Sequence, residues 1–210
     1  MTDAGSRRNR PYAPRMSPQA RREQLLDAVL RVIVDDGVHR VSMDAVARAA
    51  GVTRPVVYGQ FTDAADLLRA ALDREESAAL AQLRTVLPSA GSPSSTVDAF
   101  ASLAAFLEAV LAAPDRWRAI FTLVDSSTPE FRRRVEQGLA LVIDEVEALV
   151  RRSVGPGADD GTDVELLARM LVGIAWAAGR LTLAEPDAYP PARLVAFART
   201  TIAPMLLGSR

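Results

Sequence analysis

The sequence predicts an all-α protein, a small N-terminal three-helix unit followed by a larger helical bundle. Three observations carry that prediction. Apolar residues recur at helical spacing through most of the 210 residues, and no stretch alternates like a strand. Prolines and glycines interrupt the pattern at intervals that suit helix ends rather than helix interiors. Charge divides the chain in two: residues 1–62 hold ten arginines against six acids, and residues 63–210 hold fifteen against twenty.

The elements follow in order. Ser17 before Pro18 reads as an N-cap with proline in the first helical turn. Leu26, Val29, Leu30 and Ile33 then form the stripe of an amphipathic helix, which Gly37 stops. Two short segments, 42–50 and 53–61, are joined by Gly51-Val52-Thr53. A longer helix runs from Asp63 to about Leu87, with Asp63 and Asp66 placed like a capping box. The turn-rich run 88–95 breaks the chain. Helices are expected near 96–113, 114–125, 128–153, 163–184 and 190–207, with Pro204 ending or kinking the last. Val97, Phe100, Ala104, Leu107 and Leu111 stripe the first of these, and Phe131, Val135, Leu139, Val142, Val146 and Leu149 the third.

Composition removes whole classes of chemistry. There is no cysteine, which excludes disulfides, thiolate nucleophiles and zinc–thiolate sites. His39 is the only imidazole, so no multi-histidine metal site is expected, and no cofactor is implied. Gly155-Pro156-Gly157 through Gly161 misses the spacing of a phosphate or calcium loop and reads as a turn. Asp144, Glu145 and Glu147 read as solvated helix surface. The chain is therefore not expected to be an enzyme. No run approaches a membrane span and the N-terminus is polar, so a cytoplasmic location with no membrane partner is expected. All 25 cationic residues are arginine, and Arg7, Arg8, Arg10, Arg15, Arg21 and Arg22 face only Asp3 in the first 22 residues. That imbalance points to a polyanion partner, with 1–17 as a flexible basic arm.

The segment Ser42 to Phe61 carries the function. Ala47 is small enough for two short helices to cross, Gly51 tolerates the reversal between them, and Val46, Ala50, Val52 and Val57 fix the crossing. This is a helix-turn-helix, whose second helix enters the major groove of double-stranded DNA. Ser42 is expected to cap its first helix and Thr53 its second. Arg54 is expected to contact guanine O6 and N7, and Pro55 and Val56 a thymine methyl. Ser42, Thr53, Tyr58 and Gln60 are expected to touch the DNA backbone, positioning without reading.

Val41-Ser42-Met43, Ala50-Gly51-Val52-Thr53, Val57-Tyr58-Gly59-Gln60-Phe61 and Asp66-Leu67-Leu68 resemble the DNA-binding domain of the tetracycline-repressor (TetR) family of bacterial transcriptional regulators. The likeness covers about residues 18–79. It implies that the helix containing Tyr58 reads DNA, with that tyrosine on the backbone. It also implies a homodimer on a palindromic operator and a C-terminal domain that senses a small-molecule effector. One departure stands out: the family usually places a phosphate-binding lysine just after the aromatic, where this chain has Ala64.

On this reading 18–62 is the DNA-binding unit and 63–210 the sensing and dimerising bundle. Leu103, Phe106, Trp117, Phe121, Leu139 and Met170 are the candidate pocket for a largely apolar effector. The helix at 163–184 is apolar on more than one face, which calls for a second burial partner. Gly173, Trp176, Ala177, Leu194, Ala198 and Ile202 are the candidate dimer interface. The leading function is a ligand-responsive homodimeric repressor. The alternatives are an architectural DNA-binding dimer with no effector and an α-helical enzyme or carrier with an incidental hairpin. If the arm neutralises phosphates, deleting residues 1–15, which carry four arginines, lowers the salt slope of DNA binding by about three to four counterions. Binding titrations from low to high salt measure that slope.

Overall fold

A computed structural model describes residues 16–87, 96–124, 129–154 and 163–202. Nine α-helices occupy the described residues: α1 (Pro18–Asp36), α2 (Met43–Ala50), α3 (Arg54–Tyr58), α4 (Ala64–Val86), α5 (Thr96–Ala112), α6 (Pro114–Val124), α7 (Pro129–Val154), α8 (Val164–Ala184) and α9 (Pro191–Phe197). The expected caps account for several boundaries. Ser17 Oγ accepts from the Ala20 N–H at 3.1 Å, and Gly37 closes α1 at φ 90°. Asp63 caps α4 by accepting the Asp66 N–H at 2.8 Å. Asp66 returns the bond to the Thr62 N–H at 3.1 Å, one residue before the cap itself.

Two buried clusters share helices α4 and α6, with Ala119 of α6 lying in the first. The first joins Leu25, Val29 and Ile33 of α1, Val46 of α2 and Val57 of α3 to Leu67, Ala71 and Leu72 of α4. The second joins Ala79 of α4 to Phe106, Leu107 and Val110 of α5, Trp117 and Phe121 of α6, and Ala178 and Leu183 of α8. An aromatic chain runs through this second core. Phe106 meets Trp117 edge-on at 5.3 Å, Trp117 lies 5.9 Å from Phe121, and Phe121 meets Trp176 edge-on at 4.7 Å. Thr182, fully buried, donates to the Tyr189 carbonyl at 3.1 Å and ties α8 to the turn before α9.

Several expectations need correction. The second helix-turn-helix segment, expected to reach residue 61, stops at Tyr58. Gly59 is its C-cap, and the Gln60 and Phe61 N–H groups both turn back to the Val57 carbonyl. The last helix, expected as one piece over 190–207, ends at Phe197 and continues as a π-helical turn over Ala198–Ile202. Within it the Thr200 hydroxyl donates to the Ala196 carbonyl at 2.9 Å, competing with the backbone for that acceptor. The stripe expected on α5 is displaced: Phe106, Leu107 and Val110 are buried, while Leu111 is exposed. The expected 88–95 break, the arm at 1–15, the 155–161 turn and Pro204 lie outside the described residues, as do the side chains of Val97 and Phe131. By length and mean hydropathy α8 is apolar enough to cross a membrane, with 28 % of that stretch buried within the chain, but Arg169 and Arg180 confine its uncharged apolar run to 170–179.

Two glycines on neighbouring helices should respond oppositely to alanine. A Cβ at Gly179 of α8 would stand 3.0 Å from Phe121 and 3.2 Å from Phe106, whereas one at Gly138 of α7 meets nothing within 4 Å. Gly179→Ala therefore destabilises by about 1–2 kcal/mol, the cost of overpacking less the gain in helix propensity. Gly138→Ala stabilises by about 0.5–1 kcal/mol. Urea midpoints of the two variants check both signs.

Candidate DNA interface and bundle cavity

The turn between α2 and α3 is built from local chemistry. Ser42 Oγ accepts the Ala45 N–H at 3.2 Å and starts α2. Gly51 takes the left-handed conformation, φ 66° and ψ 33°. There the Val52 N–H reaches back to the Ala47 carbonyl and the Gly51 N–H to the Arg48 carbonyl, the paired bonds of a Schellman motif. Helix α1 braces this turn from behind. Gln24 donates to the Ala50 carbonyl at 3.0 Å and Arg31 to the Ala49 carbonyl at 3.1 Å, satisfying groups that the end of α2 leaves open. Arg22 lies 4.3 Å over the Phe61 ring and donates to the Gln60 carbonyl. It therefore braces the domain, although its sequence position groups it with the basic arm.

Thr53 stands at the N-cap of α3, but the expected cap bond does not form. Position N2 is Pro55, which has no N–H, and the Val56 N–H already bonds the Thr53 carbonyl at 3.0 Å. Neither amide that a cap normally serves is left for the hydroxyl. Arg54 is ion-paired through Nε to Asp44 at 2.8 Å, with both side chains about half exposed. Ser42, Thr53, Arg54, Pro55 and Tyr58 are exposed, Val56 and Gln60 are half-buried, and Val57 is fully buried as the anchor of α3.

A second candidate site lies where the two clusters meet. A cavity of ≈ 80 Å³ is walled by Leu30 and Ile33 of α1, Leu72 and Ala79 of α4, Trp117 and Ile120 of α6, Leu139 of α7 and Trp176 of α8. Its charged groups are all engaged. Glu75, 4 % exposed, bonds Arg116 at 2.7 Å and Arg74 at 2.6 Å. Arg74 also holds Glu23 and Asp27 of α1, at 2.9 and 2.8 Å. Burial opposes the Arg74 charge, but the surrounding carboxylates outweigh it and raise its pKa above the ordinary guanidinium value. Arg134 of α7 bridges Glu76 and Asp73 of α4 in the same way.

Comparison with known proteins decides the family. The profile of bacterial regulatory proteins of the tetR family matches residues 25–71. Over 152 residues, 72 % of this chain and 67 % of the other, the chain is 30 % identical to the HTH-type transcriptional activator FasR of Mycolicibacterium smegmatis.

The chain belongs to the TetR family of transcriptional regulators. The fold agrees along nearly its whole length. A TetR-like transcriptional regulator from Rhodococcus sp. RHA1 superposes with a TM-score of 0.74 at 23 % identity, covering 93 % of this chain and all of that one. FadR from Bacillus subtilis, solved in complex with stearoyl-CoA, superposes with a TM-score of 0.64 at 16 % identity, over 90 % and 99 % of the two chains.

For a TetR-family chain, the residues expected in the bundle are partly redistributed. Trp117 and Leu139 line the cavity. Phe106 and Phe121 fill the core beside it, and Leu103 packs behind them. Met170 is 47 % exposed on α8 and does not belong to the pocket. Among the expected dimer residues Gly173 and Ala177 are exposed. Trp176 and Leu194 are half-buried against the protomer's own second cluster, and Ala198 is buried. The side chain of Ile202 lies outside the described residues. Ala64, where the family usually has lysine, packs against the first cluster.

Sequence reasoning missed the bracing set of Gln24 and Arg31 and the network around Glu75. One signal was available: Glu75 falls within the apolar stripe Leu67, Ala71, Leu72 and Ala79. Glu75→Gln leaves two partly buried guanidiniums short of a counter-charge, so it should cost about 2–4 kcal/mol, at the low side of a fully buried pair because both arginines keep some solvent. Chemical denaturation at neutral pH measures the loss.

Proposed function

We propose that this TetR-family chain acts as a homodimeric, ligand-responsive regulator that leaves its operator when a small, largely apolar effector occupies the bundle cavity, most simply as a repressor. The observation that carries this reading is the composition of the cavity wall, which joins α1 behind the helix-turn-helix to α4, α6, α7 and α8 of the bundle. An occupant that favours a different setting of these helices also favours a different setting of α3, and by linkage its binding lowers DNA affinity. Whether loss of operator occupancy raises or lowers transcription depends on where the operator lies, so the activator name of the relative from Mycolicibacterium smegmatis fits the same switch.

The dimer reading rests on α8. Leu166, Met170 and Leu181 are exposed, and with Gly173 and Ala177 they follow helical spacing along one face. Phe197 of α9 is 54 % exposed. A helix this apolar on its outward face is accounted for by a second copy packed against it. A two-fold dimer sets two α3 helices for successive major grooves of a palindromic operator, about 34–36 Å apart. On this reading exposed Ser42, Thr53 and Tyr58 and half-buried Gln60 meet the DNA backbone and position α3, while Arg54 reads a base and Pro55 and Val56 meet a thymine methyl.

Arg54→Ala should weaken operator binding by about 1–3 kcal/mol and relax selectivity at one base pair; equal losses on operator and random DNA would reassign it to phosphate. Sedimentation should give a dimer at micromolar concentration, split by Gly173→Arg, which places a bulky charge on the close-approach face. The decisive experiment is a melting screen of apolar compounds followed by DNA-release titration of each hit. Hits that release the operator support the switch. Stabilising hits that leave DNA affinity untouched would favour the architectural dimer.

A further inference from the structure

Residues 37–62, which contain the helix-turn-helix, hold a single acid, Asp44. A carboxylate on a surface that meets phosphates opposes DNA of every sequence, so its placement calls for a local account. Asp44 lies in the first turn of α2, and exposed Arg48 stands one helical turn further along the same helix. The ion pair that forms is nonetheless the one across to α3, from Asp44 Oδ1 to Arg54 Nε at 2.8 Å. Both ends of that pair stand on a fixed base. Val46 and Val57 are fully buried, and the Val52 N–H closes on the Ala47 carbonyl at 2.9 Å, so the core sets the spacing of the two backbones.

The chemistry lies in which nitrogen is taken. A guanidinium carries N–H groups on its stem and on two terminal nitrogens, and the terminal pair side by side matches guanine O6 and N7. Asp44 engages the stem nitrogen, and Arg54 has no other hydrogen-bond or ion-pair partner among the described residues. Two consequences favour a base over a phosphate. The pair holds a flexible side chain in one orientation before DNA arrives. Its carboxylate also repels an anionic phosphate far more than a neutral guanine edge. Resting on the reading that Arg54 contacts a base, we infer that Asp44 is the positioning residue that commits Arg54 to guanine and keeps it from the phosphates. Asp44 thus raises selectivity while lowering affinity for DNA in general.

The test is selection from a pool of random-sequence DNA duplexes by the unmutated chain, Asp44→Asn, Arg54→Ala and the double variant. Affinities are then measured on the selected duplex, on that duplex with the guanine pair replaced, and on the unselected pool. The unmutated chain should select a motif whose guanine preference at one base pair per half-site disappears in Arg54→Ala. Asp44→Asn should lower discrimination at that same base pair by about 2- to 5-fold, the worth of an exposed ion pair. It should at the same time bind the unselected pool more tightly, with a salt slope steeper by about one counterion. Loss of a merely structural acid would instead weaken binding to both DNAs alike. Asp44→Glu, which keeps the charge, should keep the original salt slope. In the Arg54→Ala background, Asp44→Asn should leave discrimination at that base pair unchanged. Unaltered discrimination in Asp44→Asn, or a fall in affinity for both DNAs, would overturn the role of Asp44 while leaving Arg54 as the reader. No selected motif, or a guanine preference that survives Arg54→Ala, would overturn the base-reading role on which it rests.

Discussion

Helix α4 has to serve two cores at once, and most of the architecture follows from how its 23 residues are shared between them. Leu67, Ala71 and Leu72 complete the cluster behind the helix-turn-helix, whereas Ala79, two turns on, belongs to the aromatic core of the bundle. A continuous helix transmits displacement along its axis because its hydrogen-bond ladder resists local bending. Glu75 lies at the crossover. Its carboxylate is compensated on both sides, by Arg74, which reaches Glu23 and Asp27 of α1, and by Arg116 of α6. A buried charge tolerates its site only while these partners stay in place, so α1, α4 and α6 are constrained to move together. The cavity adjoins the same junction, which is where a small change of volume has most leverage on the relation between the two cores.

The recognition helix illustrates how little intrinsic stability a reading element needs when its surroundings hold it. Five residues, one of them proline and followed by glycine, would not form a stable helix alone. Val57 anchors it from beneath, the Gly51 turn sets its entry, and Arg22 fixes its exit through the Phe61 ring and the Gln60 carbonyl. The outward groups are left to the surface by the same geometry. Thr53 is not consumed as a cap because Pro55 has no amide to offer it. Arg54 is held in place by Asp44, an exposed pair that a stronger partner can displace at little cost.

Helix α8 has the opposite problem, too much apolar surface for one chain to cover. Ala168, Ala178, Gly179 and Leu183 face inward, and the glycine lets Phe121 and Phe106 approach within contact distance. Leu166, Met170 and Leu181 face outward. The same composition satisfies a simple membrane-span test by length and hydropathy. In a TetR-family fold it is met instead by packing on two sides, within the protomer and, on the proposal above, against a second copy.

What the sequence determined by itself is local. Ser17, Ser42 and Asp63 cap helices because a side-chain oxygen one turn from an open amide needs no distant partner. Gly37 and Gly51 take positive φ for the same self-contained reason, and the helix-turn-helix is legible from small, flexible and apolar residues at fixed spacing. The all-α class follows from periodicity. Tertiary structure alone decided which side of each bundle helix faces inward. Met170 and Trp176 are both apolar residues on α8, yet one is exposed and the other meets Phe121, because a helix apolar all round carries no phase information of its own. It also decided the partners of the charges. Glu75 meets Arg116 across 41 residues of sequence, and Arg134 meets Glu76 across 58. Such pairs are set by the packing of distant helices, and no local pattern in the chain specifies them.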